Sequence, residues 1–444
     1  MSDKEHRVLR LGLLGSGVVG SGVVNVLSRN QDEIRRRTGR TLKIVRIGTR
    51  EVEKARQDFG DAYQYTTELD EITTAPDVDV VIELIGGTTR AREVILSAIA
   101  AGKHVVTANK ALLAEHGTEI FAAARAKGVI VAFEAAIAGG IPIVKALREG
   151  LSANRIQWVA GIINGTTNYI LSEMREKGVD FQSALKDAQA LGYAEADPTF
   201  DIEGVDAAHK ITLICSLAFG VPVQFHKAYI EGISQLETAD IAYAEKLGYR
   251  VKLLGIAKAA EKGIELRVHP TLVPISRLIA NVHGAMNAVV VQGDAVGATL
   301  YYGKGAGSEP TASAVIADLV DIARMETADP AHQVPYLAFM SDALSNTPIL
   351  PMEEVVTSYY LRLRVADEAG VLAQVTRILA DQAISIDAVI QRESDEVSDA
   401  NENQTDLMIL THETTERAMN QAIALIESLP SVFGVRRIRK EELQ

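Results

Sequence analysis

The chain has 444 residues, 47% apolar and 23% charged, which is ordinary globular usage and excludes a disordered or low-complexity chain. Its 45 basic and 58 acidic side chains leave a formal charge of −13, so non-specific binding to nucleic acid or to an anionic membrane is not expected. One cysteine, Cys215, excludes an internal disulfide and a thiolate-rich zinc cluster and points to a reducing, cytoplasmic setting, while the length allows two to four domains of about 150 residues.

Residues 8–14 read as a buried strand and 18–36 as a helix ending near Gly39. The uncharged run 11–28 superficially resembles a signal peptide or short membrane span, but glycines at 12, 15, 17, 20 and 22 would weaken one long helix. A strand, a tight turn and a buried helix account for it better. Strand-like runs at 42–47 and 78–84, a helix over 91–100, a strand over 104–107, a helix over 112–127 and a strand over 129–133 follow. This alternation predicts an α/β, Rossmann-type fold on a doubly wound parallel sheet.

From Gly139 the texture changes to a helix reaching Gly150, an Asn164-Gly165 turn and helical segments over 168–220. Strand-like runs at 256–260, 266–274 and 287–293 precede a helix over 310–324, and the proline-containing stretch 327–355 reads as a linker. The remainder reads as strand 359–365, helix 369–382, strands 384–391 and 405–411 around an acidic loop at 393–404, helix 414–429 and strand 432–438. That order, βαββαβ, is the split-βαβ arrangement.

Gly15-Ser16-Gly17-Val18-Val19-Gly20 fits G-x-G-x-x-G, and it lies between a predicted strand and a predicted helix, the context that gives the motif meaning. The first glycine permits the turn, the second lets backbone approach a pyrophosphate, and the third lets helix pack on strand. The second strand ends at Gly48-Thr49-Arg50-Glu51, where Arg50 suits the 2′-phosphate of NADP while the adjacent Glu51 keeps NAD open. A second cluster runs Gly192-Tyr193-Ala194-Glu195-Ala196-Asp197-Pro198 and then Asp201 to Lys210, charged residues beside an apolar helix. Asp206 and Lys210 are four apart and share a helix face, although on composition a capping cluster explains the pattern equally well.

Taken in order, the glycine loop, Thr107-Ala108-Asn109-Lys110, the 192–198 and 201–210 clusters and Tyr302-Gly303-Lys304-Gly305-Ala306-Gly307-Ser308-Glu309-Pro310 resemble the homoserine dehydrogenase family over roughly residues 8–330. The resemblance implies NAD(P)H-dependent reduction of L-aspartate 4-semialdehyde to L-homoserine, on the route to threonine, methionine and isoleucine. It implies Lys210 as proton donor, Lys110 as a second active-site lysine also near the cofactor, Glu195 and Asp206 as substrate-binding acids, and Asp201 as a positioning residue beside the substrate. Gly86, Gly192 and Gly307 match cofactor contacts, and Glu134, Ile137, Gly139 and Ile141 match a loop that holds a monovalent cation, sodium. The C-terminal unit resembles the ACT domain, with Val365-Ala366-Asp367-Glu368-Ala369-Gly370-Val371-Leu372 at its first strand–helix turn, which implies an amino-acid effector such as threonine and a homo-oligomer, dimer or tetramer.

The implied organisation is a discontinuous nucleotide-binding domain (1–138 and 303–330), a substrate and dimerisation domain (139–302), a linker (331–356) and a regulatory domain (357–444). Another amino-acid or hydroxy-acid dehydrogenase on this scaffold, or a non-catalytic amino-acid sensor, are the alternatives. His104, His116 and His209 lack ligand spacing, and Cys215 reads as a core residue. Arg436, Arg437, Arg439 and Lys440 read as a solvated face of the last strand.

Overall fold

The structure is a computed structural model that describes residues 8–325, 334–340, 342–391 and 403–443, so most of the acidic 393–404 loop lies outside the described residues. Strands β1 (Val8–Leu14), β2 (Thr41–Gly48), β3 (Gln64–Thr66), β4 (Val80–Glu83), β5 (His104–Thr107) and β6 (Val131–Ala132) make a parallel sheet in the order β3-β2-β1-β4-β5-β6. The order reverses between β1 and β4, and ligands of such sheets bind in the crevice at the strands' carboxyl ends there. Leu9, Leu11 and Leu13 of β1 face one core and Leu14 another, as expected for a strand buried on both faces.

Local chemistry adjusts the expected elements. The helix expected over 18–36 is two, Val18–Arg29 and Gln31–Thr38, broken at Asn30 because the second segment buries only Ile34 and rides on the surface. The helix expected from 112 begins at Lys110, since the Asn109 side chain caps it by accepting from the Leu112 amide at 3.1 Å. The last strand of this sheet shrinks to two residues because a tight turn over Glu134–Ala136 follows at once.

The second sheet is composite. Strands β7 (Ile156–Ile162), β8 (Tyr229–Ile230), β9 (Tyr249–Ala260), β10 (Gly263–Pro274), β11 (Met286–Gly293) and β12 (Gly297–Lys304) come from the middle of the chain. Strands β13 (Val356–Ala366), β14 (Ile386–Gln391), β15 (Gln404–Thr411), β16 (Thr414–Thr415) and β17 (Val432–Lys440) come from its end. They join in one sheet, β12-β11-β7-β9-β10-β17-β13-β15-β14, with β8 beside β10 and β16 beside β13. The seam is a short parallel pairing, Thr271 with Arg439 and Leu272 with Lys440.

The helix Val205–Phe219 is buried almost all round and packs on β7, β9 and β10. β9 starts well before the expected 256 because it carries Arg250 and a buried Lys252, charges that mask the strand pattern. The described part of the expected linker is a packed strap: Tyr336 stacks on Phe121 with ring centres 5.6 Å apart, and Ile349 bridges to Ile264. The basic run near the C-terminus is not a solvated face. Arg439 is fully buried, paired with Glu416 on its own side of the seam and with Glu231 across it. Among the described residues no helix is long and apolar enough to cross a membrane.

Candidate active site

The glycine loop shows what each glycine does. A Cβ on Gly15 would lie 2.7 Å from the Leu84 carbonyl oxygen, and one on Gly20 would lie 2.1 Å from the Gly15 carbonyl oxygen. These two positions are closed by packing. At Gly17 no atom lies within 4 Å of the corresponding point, so the loop is open where a pyrophosphate would approach the start of the Val18–Arg29 helix. Ser16 and Thr49 share a hydroxyl hydrogen bond at 2.6 Å that ties the loop to the end of β2. Arg50 is exposed there, while Glu51 lies 3.4 Å from Lys54. These residues fit a dinucleotide.

The crevice wall beyond β4 is shaped by a buried carboxylate. Glu83 accepts from the Ile85 and Gly86 amides at 2.9 and 3.1 Å and from the Thr107 hydroxyl at 2.6 Å. Burial raises its pKa against those hydrogen bonds. Asn109 donates to the Gly87 carbonyl at 2.7 Å, which fixes the 84–88 loop to the helix that begins with Lys110. Gly86 and Gly192 have positive φ (71° and 74°) with open space beside them, and Gly307 (130°) stands just before the Ser308–Met325 helix. The Ser308 hydroxyl donates to the Val18 carbonyl at 2.7 Å, which returns this late segment to the glycine loop.

At the start of the Val205–Phe219 helix the charged cluster closes on Asp206. Lys210 donates to Asp206 Oδ2 at 2.7 Å and to the Ile163 carbonyl at 2.8 Å, and Lys110 Nζ lies 3.1 Å from Asp206 Oδ1. One carboxylate is therefore held between two ammonium groups. Burial would raise the Asp206 pKa, but the Lys210 and Lys110 charges outweigh it and hold the group well below the usual carboxylate range. The Lys210 ammonium is pulled below its ordinary value by burial and by Lys110, with Asp206 opposing. Asp201 is raised by burial and by the Asp206 charge.

Asn164 joins these acids, donating to Asp201 Oδ1 at 2.7 Å and Asp206 Oδ2 at 2.8 Å while its Oδ1 caps the Gly165–Lys177 helix at the Thr167 amide. In the sequence Asn164 is legible only as a turn residue before Gly165. Its capping position was the signal for more, and nothing in the pattern marked Glu83. His209 packs between Phe200 and Phe225, consistent with a core histidine.

Glu195 is exposed on the 191–198 loop, where its carbonyl accepts from the Gln189 side chain at 3.0 Å. The Glu134 carboxylate turns away from the implied cation loop: its two oxygens accept the Val144 and Lys145 amides at 2.9 Å. Only main-chain carbonyls of Glu134, Ile137, Gly139 and Ile141 remain as donors, and that of Ile141 already accepts from the Ile143 amide at 2.8 Å. Among the described residues no group of three or more His, Cys, Asp or Glu side chains is arranged to hold a metal.

A parallel sheet with an open glycine loop at its switch point, and lysines on a buried carboxylate beside the same crevice, define a nicotinamide-dependent oxidoreductase. Residues 15–134 match the family model "Homoserine dehydrogenase, NAD binding domain", 142–320 match "Homoserine dehydrogenase", and 359–431 match "ACT domain". The chain is 58% identical to homoserine dehydrogenase of Pseudomonas aeruginosa over 98% of its own length and 99% of that protein's. It is 56% identical to that of Neisseria gonorrhoeae, again over 98% and 99%. The crystal structure of a homoserine dehydrogenase from Thiobacillus denitrificans superposes with a TM-score of 0.94 at 62% identity, covering 99% of each chain. The chain belongs to the homoserine dehydrogenase family. It is an NAD(P)-dependent oxidoreductase acting on a CH–OH group, and it carries an ACT regulatory domain.

Proposed function

We propose that the aldehyde of L-aspartate 4-semialdehyde is reduced to the alcohol of L-homoserine between the glycine loop and Asp206, with Lys210 donating the proton. The observation that supports this most is one buried carboxylate gripped by two lysines, one of which follows β5 directly at the carboxyl end of the first sheet. A bound nicotinamide cofactor supplies the hydride. As negative charge grows on the substrate oxygen, Lys210 stabilises it and gives up a proton, which its lowered pKa eases. Asp206 keeps Lys210 charged and aimed, and Lys110 adds positive charge beside the oxygen. Asp206 and Glu195 take the substrate's α-ammonium, and Asp201, held by Asn164, orients them.

Gly15, Ser16, Gly17, Val18, Val19 and Gly20 carry the cofactor phosphates, with Gly86, Lys110, Gly192 and Gly307 along its path. NADP is the preferred cofactor, supported by the exposed Arg50 and by Glu51 pairing with Lys54 instead. Sodium braces the 134–141 loop through carbonyl oxygens, a donor set suited to a hard cation. A melting point raised by sodium over choline at equal ionic strength would support the ion. Threonine binds near the exposed 367–370 turn of the ACT domain, and two copies pair through the β14 edge, where Val389 and Ile390 are exposed. The enzyme works in the cytoplasm, and residues 1–138 with 303–330, 139–302 and 357–444 act as its nucleotide, substrate and regulatory domains, with 331–356 linking them.

The test is steady-state reduction of the semialdehyde with NADPH and with NADH, each with and without threonine. A higher kcat/KM with NADPH, and inhibition by threonine, are expected. Equal use of NADH would remove the Arg50 reading, and indifference to threonine would remove the effector.

A further inference from the structure

Arg439, at the end of β17, has none of its surface exposed, and its guanidinium spans two domains. Nε donates to Glu416 Oε2 at 2.9 Å, on the Glu416–Glu427 helix of the ACT domain, and Nη1 donates to Glu231 Oε2 at 2.7 Å, just after β8. Nη2 reaches the Tyr229 hydroxyl at 3.0 Å, and that hydroxyl donates to the same Glu231 oxygen at 2.7 Å. Glu231 is also fixed by its backbone, whose amide donates to the Val268 carbonyl of β10 at 2.8 Å.

The segment that starts at Glu231 is the wall on which the active-site turn rests. The Ile233 amide donates to the Ile202 carbonyl at 2.8 Å. A Cβ on Gly232 would lie 2.5 Å from the Ile202 oxygen, the Glu203 Cα and Glu203 Oε2 alike, so only a glycine lets the two backbones, and the Glu203 carboxylate, come this close. Gly204, with φ at +83°, faces the same wall: a Cβ added there would meet Val268 Cγ1 at 3.1 Å, Ile230 Cγ2 at 3.4 Å and the Glu231 carbonyl oxygen at 3.5 Å. Gly204 is the N-cap of the helix that carries Asp206 and Lys210. Close-packed contacts of this kind transmit a displacement rather than absorb it.

We propose that Arg439 is a positioning residue for catalysis: through Glu231 it fixes the 202–204 turn and with it the aim of Asp206 and Lys210, so that the last strand of the ACT domain is felt at the reacting centre. The inference rests on placing that centre at Lys210, and wild-type turnover in Lys210→Met would refute the placement and the inference with it. Arg439→Ala would leave buried Glu416 short of a partner, so the test begins from the other side of the bridge. Glu231 is 31% exposed, and in Glu231→Gln the arginine keeps Glu416.

Glu231→Gln is expected to lower kcat about tenfold, because small misplacements of reacting groups are costly, while KM for NADPH stays within about twofold. Hydrogen exchange at the amides of 203–206 and 233 should quicken, with the melting temperature moving by no more than about 3 °C. Glu231→Asp, which keeps the charge, should recover a substantial part of the lost kcat. Wild-type kcat and exchange in Glu231→Gln would overturn the proposal. A loss shared equally by kcat, cofactor KM and melting temperature would also overturn it, since that is the mark of general damage.

Discussion

The two sheets of this molecule are built on opposite plans. The six-stranded sheet is assembled from consecutive strand–helix units, and its ligand loop is a single short stretch whose function is backbone shape. The eleven-stranded sheet joins segments far apart in the chain, and the charged groups it supports, from Asp206 to Arg439, meet only through tertiary contact. A site made of backbone shape is governed by space. A site made of charges is governed by partners. Substitutions in the two should therefore fail in different ways.

The largest effect is expected at Gly20, where an alanine methyl would meet the Gly15 carbonyl oxygen at 2.1 Å. Gly20→Ala should weaken NADPH binding more than about 100-fold, equivalent to about 3 kcal/mol, and lower the melting temperature. Fluorescence titration of NADPH beside a thermal melt checks both. Asn164→Ala comes next. It removes the donors that lie between Asp201 and Asp206 and uncaps a helix, so kcat should fall about 30-fold with NADPH affinity unchanged, at about 1–3 kcal/mol of stability. A loss of cofactor affinity instead would erase the contrast between the two regions.

Gly17→Ala sharpens the comparison from the other side. Its methyl enters open space, so the fold should stay intact while cofactor KM rises about tenfold. The smallest effect concerns His209, whose imidazole burial and the Lys110 charge push down to about 4. Protonation therefore favours the unfolded chain, and the stability present above the ordinary value of 6.5 is lost as pH falls toward about 4. His209→Phe, with no proton to take up, should remove about 1–2 kcal/mol of that acid loss, read from denaturant midpoints between the two pH values. An unchanged acid slope would assign the loss to other groups.

Legibility in the sequence follows the same division. The α/β class was readable because β1 and the glycine loop declare themselves within a few residues, and the βαββαβ order because each of its elements has its own periodicity. Lys110, Asp206 and Lys210 were readable as a motif, but their shared carboxylate was not, since Lys110 arrives from a different domain. Glu83 sat inside an apolar run and gave no sign that its carboxylate would organise the 84–88 loop. Arg439 is the least legible residue, because an arginine in a terminal strand is ordinarily solvated, and only the pairing of β17 with β10 brings Glu231 to it.

The most direct test of the account is Lys210→Met, with NADPH binding and single-turnover reduction of L-aspartate 4-semialdehyde measured on the same sample. Binding should be unchanged, and turnover should fall by at least about 100-fold, the usual size of a lost general acid. Near-normal turnover, or binding and turnover lost together, would contradict the claim that the glycine loop holds the cofactor while the two-lysine cluster carries out the proton chemistry.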